Sequence, residues 1–303
     1  MITDPFDMVR SLLSPVLGEP ERLDPRDKVV VITGAAAGIG YELARLLHDR
    51  GAYVALFDID ADAARERAAA LGVRAVAVGV DVADREGVRL AIGQVRENFG
   101  RIDVVVANAG VVPRPATVRL MDPQDFDRVL AINLTGAFNT IQPALDDVIA
   151  HRGHVVVVSS CAAFAPGMGG SPYMVSKAGV EQLGRALRVE LGGTGATAGI
   201  VYFGVVETAM THGTLDEDEL GAEIGSLLPW PLDRRITARR AAEVIAGAVE
   251  RRAARAIAPA GWEPYALLRG AVNVVLDRKL SADERVRALT RRLEERILAD
   301  RAR

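Results

Sequence analysis

The sequence predicts an α/β fold: a doubly wound parallel sheet of about seven strands with helices on both faces, followed by a C-terminal helical extension. Two observations predict it. From Lys28 onward, short β-branched runs alternate with longer stretches whose apolar residues recur at helical spacing, such as YELARLLHDRG and EQLGRALRVELG. The short runs are also apolar almost without a break, as strands are when both sheet faces are covered. Strand–helix alternation makes the sheet parallel, with right-handed crossovers. The strand segments are VVVIT (29–33), AYVALFD (52–58), RAVAVGV (74–80), IDVVVA (102–107), HVVVVSS (154–160) and TAGIVYF (197–203). ARAIAPA (254–260) is a weaker seventh. Ligands of such sheets bind beyond the carboxyl ends of the strands, and the polar motifs fall there.

The chain has 303 residues, half of them hydrophobic, and a net charge of −3. That is enough for one large domain or two small ones. Basic residues are spread along the chain, so no nucleic-acid footprint is expected. The single cysteine, Cys161, excludes an internal disulfide and a multi-cysteine metal site, and suits a reducing compartment. His48, His151, His154 and His212 lack a metal-ligand spacing, and no metal is expected. The N-terminal stretch lacks a basic leader followed by an apolar core. No apolar run approaches the ~20 residues that span a bilayer. A cytoplasmic protein is the expectation.

TGAAAGIG (33–40) sits between the first strand and the first helix, with glycines at Gly34, Gly38 and Gly40. Glycine permits a tight turn and lets the backbone approach a pyrophosphate at a helix N-terminus. Asp58 ends the second strand. Its carboxylate suits a ribose and repels a 2′-phosphate, which favours NAD over NADP. The turn positions Ala35 to Ala37 offer no cation for that phosphate. The competing reading of Asp58 is a helix N-cap.

SPYMVSKAG (171–179) places Tyr173 and Lys177 four residues apart, on one helix face. A lysine cation beside a phenol favours the phenolate and lowers its pKa. Bringing a tyrosine from ~10 to ~7 takes about 4 kcal/mol of preferential stabilisation.

TGAAAGIG, NAG (108–110), the serine of VVSS and YMVSK, in this order, resemble the short-chain dehydrogenase/reductase family over about residues 28–260. The resemblance implies one Rossmann-type domain holding both cofactor and substrate. It implies that Gly34, Gly38, Ile39 and Gly40 form the pyrophosphate turn and that Asp58 anchors the ribose. It implies adenine contacts from Asp81 and Val82, and flanking contacts from Asn108, Ala109 and Gly110. Tyr173 takes the part of the catalytic acid/base, with Lys177 as its partner. Ser160 is preferred to Ser159 because the family's serine precedes its tyrosine by thirteen residues. Asn133 resembles the asparagine that holds a water behind the lysine. After the sixth strand the family shows Pro-Gly; this chain has Phe203 in place of the proline, and Phe203 is read as a core aromatic. Gly204, Val206 and Thr208 still match the segment that meets the nicotinamide carboxamide.

Residues 205–235 are expected to cover the substrate. Val111, Phe164, Met168, Met210, Leu228 and Trp230 are expected to line an apolar pocket, suited to a steroid-, terpenoid- or acyl-like alcohol or ketone. Beyond residue 260, Ser281 and Glu284 read as a capping box. Val286, Leu289, Leu293 and Ile297 form a narrow apolar stripe. These helices are expected to pack on the domain or on another subunit, or else to touch a membrane surface; FDMVRSLLSPVL near the N-terminus could join either arrangement. The organisation read from the sequence is therefore an N-terminal extension (1–27), a catalytic domain (28–260) and a C-terminal helical extension (261–303). The expected function is an NAD-dependent oxidoreductase acting on CH–OH, assembled as a homo-oligomer. The alternatives are a dinucleotide-binding regulator without turnover and a membrane-associated protein.

Overall fold

The computed structural model describes residues 21–302. FDMVRSLLSPVL and most of the predicted N-terminal extension therefore lie outside the described residues. All seven predicted strands form: β1 Val29–Thr33, β2 Tyr53–Asp58, β3 Ala75–Gly79, β4 Val104–Ala107, β5 His154–Ser160, β6 Thr197–Phe203 and β9 Arg255–Ala258. They pair in parallel throughout, in the order β3–β2–β1–β4–β5–β6–β9. A separate parallel pair, β7 Val205–Glu207 with β8 Arg235–Thr237, was not legible in the sequence. Each of these strands has only three residues, too few to show a period.

Alternation along each strand divides the core. Val29 and Val31 join Ala55, Phe57, Val105 and Val155 on one face, while Val30 and Ile32 join Val54, Leu56, Val104 and Val156 on the other. Helices α3 (Arg85–Phe99), α5 (Gly136–Ile141), α6 (Leu145–Ala150) and α7 (Ser171–Glu190) cover the first face. Helices α1 (Gly38–Asp49) and α10 (Ala238–Glu250) cover the second. The remaining helices are α2 (Ala61–Leu71), α4 (Pro123–Leu130), α8 (Ala209–Thr211), α9 (Glu219–Gly225), α11 (Glu263–Ala282) and α12 (Glu284–Arg301). Each fully buried Leu, Ile or Phe contributes ~1.5–3 kcal/mol over its exposed state, so burial on two faces anchors the central strands β1, β2, β4, β5 and β6, while the edge strands β3 and β9 are only partly buried. The order reverses between β1 and β4, which opens a crevice at their carboxyl ends.

The two C-terminal helices behave differently. In α12, Leu289 and Leu293 are buried and Ile297 packs beside them, as the stripe predicts. The predicted capping box is not formed: α11 runs on through Ser281, and Asp283 caps α12 by accepting from the Arg285 and Val286 amides. Asp283 is the better cap because its carboxylate serves two amides at once. Helix α11 is inverted. Arg269 makes two hydrogen bonds to the buried Glu181 of α7, and Asn273 donates to the Phe164 carbonyl, so its polar side faces the protein. Leu267, Leu268, Val274 and Val275 are exposed.

Candidate active site

The glycine turn has the backbone that its sequence requires. Gly34 and Gly38 sit at φ +65° and +53°, in the left-handed region that side chains disfavour. Gly40 is required for another reason: a Cβ there would collide with the Gly34 carbonyl. Ala37 gives α1 no side-chain cap, whereas Asp60, Asp84 and Asp122 cap α2, α3 and α4. The first amides of α1 therefore keep their capacity for an anion from outside the chain. The cradle of glycine backbone and uncapped amides fits a dinucleotide pyrophosphate.

Asn108 locks this turn to the end of β4. Its amide nitrogen donates to the Thr33 carbonyl at 2.9 Å, and the Thr33 hydroxyl accepts the Asn108 and Ala109 N–H groups at 3.0 Å each. These bonds span the β1–β4 crevice. Asp58 accepts the Ala36 N–H at 2.9 Å and the Asp60 N–H at 3.1 Å. Asp60, not Asp58, caps α2, so Asp58 ties the turn to β2. Ile39 packs against the second core cluster. Val82 is buried and its carbonyl accepts from Asn139, while Asp81 is exposed and accepts the Ala83 N–H. The sequence reading missed Arg67. It reaches back from α2, donates to the Ala36 carbonyl at 3.3 Å and lies over the Tyr41 ring. A search confined to the turn could not find a cation that arrives from the next helix.

Tyr173 and Lys177 lie on α7, whose first turn carries Pro172, a residue pre-set for that place. Lys177 is 5% exposed, its ammonium donates to the Val158 carbonyl at 2.9 Å, and it lies 5.7 Å from the Tyr173 ring centroid. The two serines of β5 divide their tasks. Ser159 donates to the Lys177 carbonyl at 2.9 Å, which staples helix to strand. Ser160 donates to the Phe203 carbonyl and stands against the Tyr173 phenol. Asn133 is buried in a π-helical turn, Ala131–Thr135. Its side chain accepts the Val111 N–H at 2.7 Å and donates to the Val111 carbonyl and the Ser176 hydroxyl. Gly110 passes between: a Cβ there would lie 3.3 Å from the Asn133 oxygen and 3.4 Å from the Lys177 nitrogen.

Electrostatics correct one expectation. Burial pushes the Tyr173 phenol above its ordinary value, and the Ser160 hydrogen bond offsets only part of that rise. Lys177 does not bring it down. Burial lowers the lysine itself to about 8, and its ammonium is bonded to Val158 rather than to the phenol. Sequence spacing showed the pair but not its desolvation, which acts against both charged forms.

The segment after β6 begins as expected. Phe203 is a core residue of the second cluster. Gly204 donates to the Ala258 carbonyl, and a Cβ at Gly204 would meet the Trp262 indole. Val206 is buried, and Thr208 caps α8. Thr208 is also the nearest neighbour of a Cβ built on Gly38, at 3.7 Å, so this segment faces the glycine turn. The six apolar residues assigned to a pocket have different surroundings. Phe164 is buried among Tyr202, Trp262 and Tyr265, and Leu228 packs on the same cluster. Met168 packs with α12. Val111 is half-buried, Met210 is exposed, and Trp230 is 73% exposed with Arg234 over its ring. Burial raises the Cys161 thiol, which suits an inert core residue. His212 pairs with Asp216 on the surface.

The family model described as short chain dehydrogenase matches residues 28–219. The 2-(R)-hydroxypropyl-CoM dehydrogenase of Xanthobacter autotrophicus is 32% identical over 209 residues, covering 67% of this chain and 84% of that protein. The cis-4-hydroxycyclohexanecarboxylate dehydrogenase of Sinomonas cyclohexanicum is 37% identical over 191 residues, covering 62% and 76%. A crystal structure of a short-chain type dehydrogenase/reductase from Mycobacterium marinum superposes with a TM-score of 0.68 at 26% identity, over 77% of this chain and 94% of that one.

The buried lysine has a measurable consequence. Unfolded, Lys177 holds its proton up to its ordinary value of 10.5; folded, only up to about 8. Between these values the unfolded state binds more protons, so stability rises with pH. Denaturant unfolding of wild type and Lys177→Met should show wild type gaining on the variant between about pH 8 and pH 10.5. A difference that stays flat across that window contradicts the assignment.

Proposed function

The chain belongs to the short-chain dehydrogenase family, and from that premise we propose that it interconverts a secondary alcohol and a ketone on a hydrophobic substrate, with NAD as the acceptor. The observation that carries this reading is the meeting of Ser160, Tyr173 and Lys177 beside the β1–β4 crevice. The two dehydrogenase relatives described above are named for hydroxylated substrates. Tyr173 takes the hydroxyl proton of the alcohol, or returns it to the ketone oxygen. Ser160 holds that oxygen by a hydrogen bond. Lys177 keeps a positive charge one helical turn behind the phenol, and Asn133 fixes the loop after β4 against α7. A bound nicotinamide ring supplies the hydride acceptor and, when oxidised, a positive charge. Gly34, Gly38, Ile39 and Gly40 would hold its pyrophosphate and Asp58 its adenosine ribose. Asp81 and Val82 would meet the adenine. Asn108, Ala109, Gly110 and Lys177 would flank the riboses, and Gly204, Val206 and Thr208 the carboxamide.

Asp58 supports NAD, because a carboxylate at the end of β2 repels a 2′-phosphate. Arg67 is the opposing charge, but its guanidinium is engaged by the Ala36 carbonyl and Tyr41. Val111, Met210, Leu228 and Trp230 support an apolar substrate, with Phe164 and Met168 shaping the pocket from behind. Among the described residues no helix is long and apolar enough to cross a membrane, and the free cysteine suits a cytoplasmic location.

We also assign the exposed face of α11 to a second copy of the chain. A surface helix normally turns its apolar side inward; α11 does the reverse. Its exposed residues are arranged symmetrically about Ala271, so that an antiparallel pair about a two-fold axis sets Leu267 against Val275 and Leu268 against Val274. The small Ala271 lets the helices approach at the crossing. Sedimentation should show a homo-oligomer that dissociates in Leu268→Glu. A wild-type monomer that floats with liposomes instead contradicts the assignment and favours the membrane.

The activity is tested by absorbance at the reduced-nicotinamide band, over secondary alcohols from polyols to sterols, with NAD and NADP in parallel. Turnover should be greater with NAD, and Tyr173→Phe should lose at least ~10²-fold while still binding the cofactor. Undiminished turnover in Tyr173→Phe, or preference for NADP or for small polyols, contradicts the corresponding part of the reading.

A further inference from the structure

Helix α12 joins the three loops that follow β4, β5 and β6, the loops that surround the carboxyl end of the sheet. Glu294 accepts from Thr117 at 2.8 Å and from Arg119 at 3.2 and 2.5 Å, and Asp300 pairs with Arg114, all in the loop after β4. Arg296 donates twice to Asp218, the N-cap of α9, and Arg292 pairs with Glu223 in the same helix. Between these two sets of ion pairs Leu289 and Leu293 are buried against Leu220, with Met168, Leu227 and Ile297 around them. The third loop meets the helix at Gly169, where a Cβ would lie 3.5 Å from both Leu293 and Ile224 and 3.8 Å from Pro115. Gly169 stands only four residues before Tyr173, and its carbonyl accepts the Ala116 N–H. All three loops therefore converge at Leu293.

We infer that α12 is a strap forming the outer wall of the substrate site, and that Leu293 is the residue that limits substrate length. This rests on the location of the substrate site proposed above. The ion pairs are partly exposed, so they are weak individually and screened by salt. The buried leucines do not lose their contribution in salt. Apolar packing therefore holds the strap, and the ion pairs set its register. A substrate extending past the cluster would have to displace Leu293 and expose Leu220 and Leu289 as well. The inference narrows the substrate class to compact hydrophobic alcohols, such as alicyclic or short-chain ones, and disfavours long acyl chains.

The test has two arms on the full chain. Amide hydrogen exchange, with no substrate present, compares wild type with Leu293→Ala and with Arg296→Gln, a milder variant that leaves the core intact. Exchange in 219–225 should quicken at least about tenfold in Leu293→Ala, and measurably but less in Arg296→Gln, while α7 is unchanged, as expected when a local contact is released. Unchanged exchange in 219–225 in both variants overturns the strap. The second arm measures kcat/KM for secondary alkanols from butanol to dodecanol, hydroxyl on the second carbon. The dodecanol-to-butanol ratio should rise about tenfold or more in Leu293→Ala, the scale of pocket discrimination for added methylenes. A uniform loss at all lengths, or a wild type that already prefers dodecanol, overturns the length limit. Silence on every alkanol counts against the proposed activity and removes the length limit with it, while the exchange arm still decides the strap.

Discussion

The bond from the Lys177 ammonium to the Val158 carbonyl is the constraint on which the site depends. A buried cation is costly unless it is hydrogen-bonded, and here its partner is the backbone of the strand that carries Ser160. The same contact region includes the Ser159 hydroxyl on the Lys177 carbonyl and the Asn133 amide on Ser176. Together these bonds leave α7 one rotation and one height against β5. The phenol of Tyr173, one turn earlier, is then placed beside Ser160 by the rigidity of the helix rather than by a contact of its own with Lys177.

That placement has an electrostatic cost. Burial raises the phenol and lowers the lysine, so the protein by itself holds Tyr173 protonated. A proton-transfer site of this kind is incomplete without another positive charge nearby. On the proposed function the oxidised nicotinamide ring would be that source, which would couple the tyrosine's readiness as a base to cofactor occupancy. Asn108 ties the glycine turn to the end of β4, and Asp58 ties it to β2, at the place where the strand order reverses.

Much of this was legible in the sequence because it depends on local rules. Seven strands followed from β-branched runs, and Gly34 and Gly38 occupy positive φ as their turn requires. Phe203 was readable as core, whereas the preference for Ser160 over Ser159 came from the family resemblance and not from a local rule. What was not legible depends on distance along the chain. Arg67 reaches the turn from the next helix, and Phe164 is claimed by an aromatic cluster built from β6 and the C-terminal extension. The inversion of α11 follows from a partner, Glu181, that lies 88 residues away. The desolvation of Tyr173 depends on the whole fold around it. Helix α12 showed its stripe in the sequence, but not that it would join three loops.

The most direct measurement of the central claim is the ionisation of Tyr173 itself. Carbon NMR of ring-labelled tyrosine, with Tyr173→Phe to identify the signal, follows its pKa in the protein alone and saturated with NAD. The account predicts a value above the ordinary 10.0 in the protein alone, falling toward neutrality when NAD is bound. The same raised value in both states would contradict it, because the tyrosine would then have no means of accepting a proton near neutral pH.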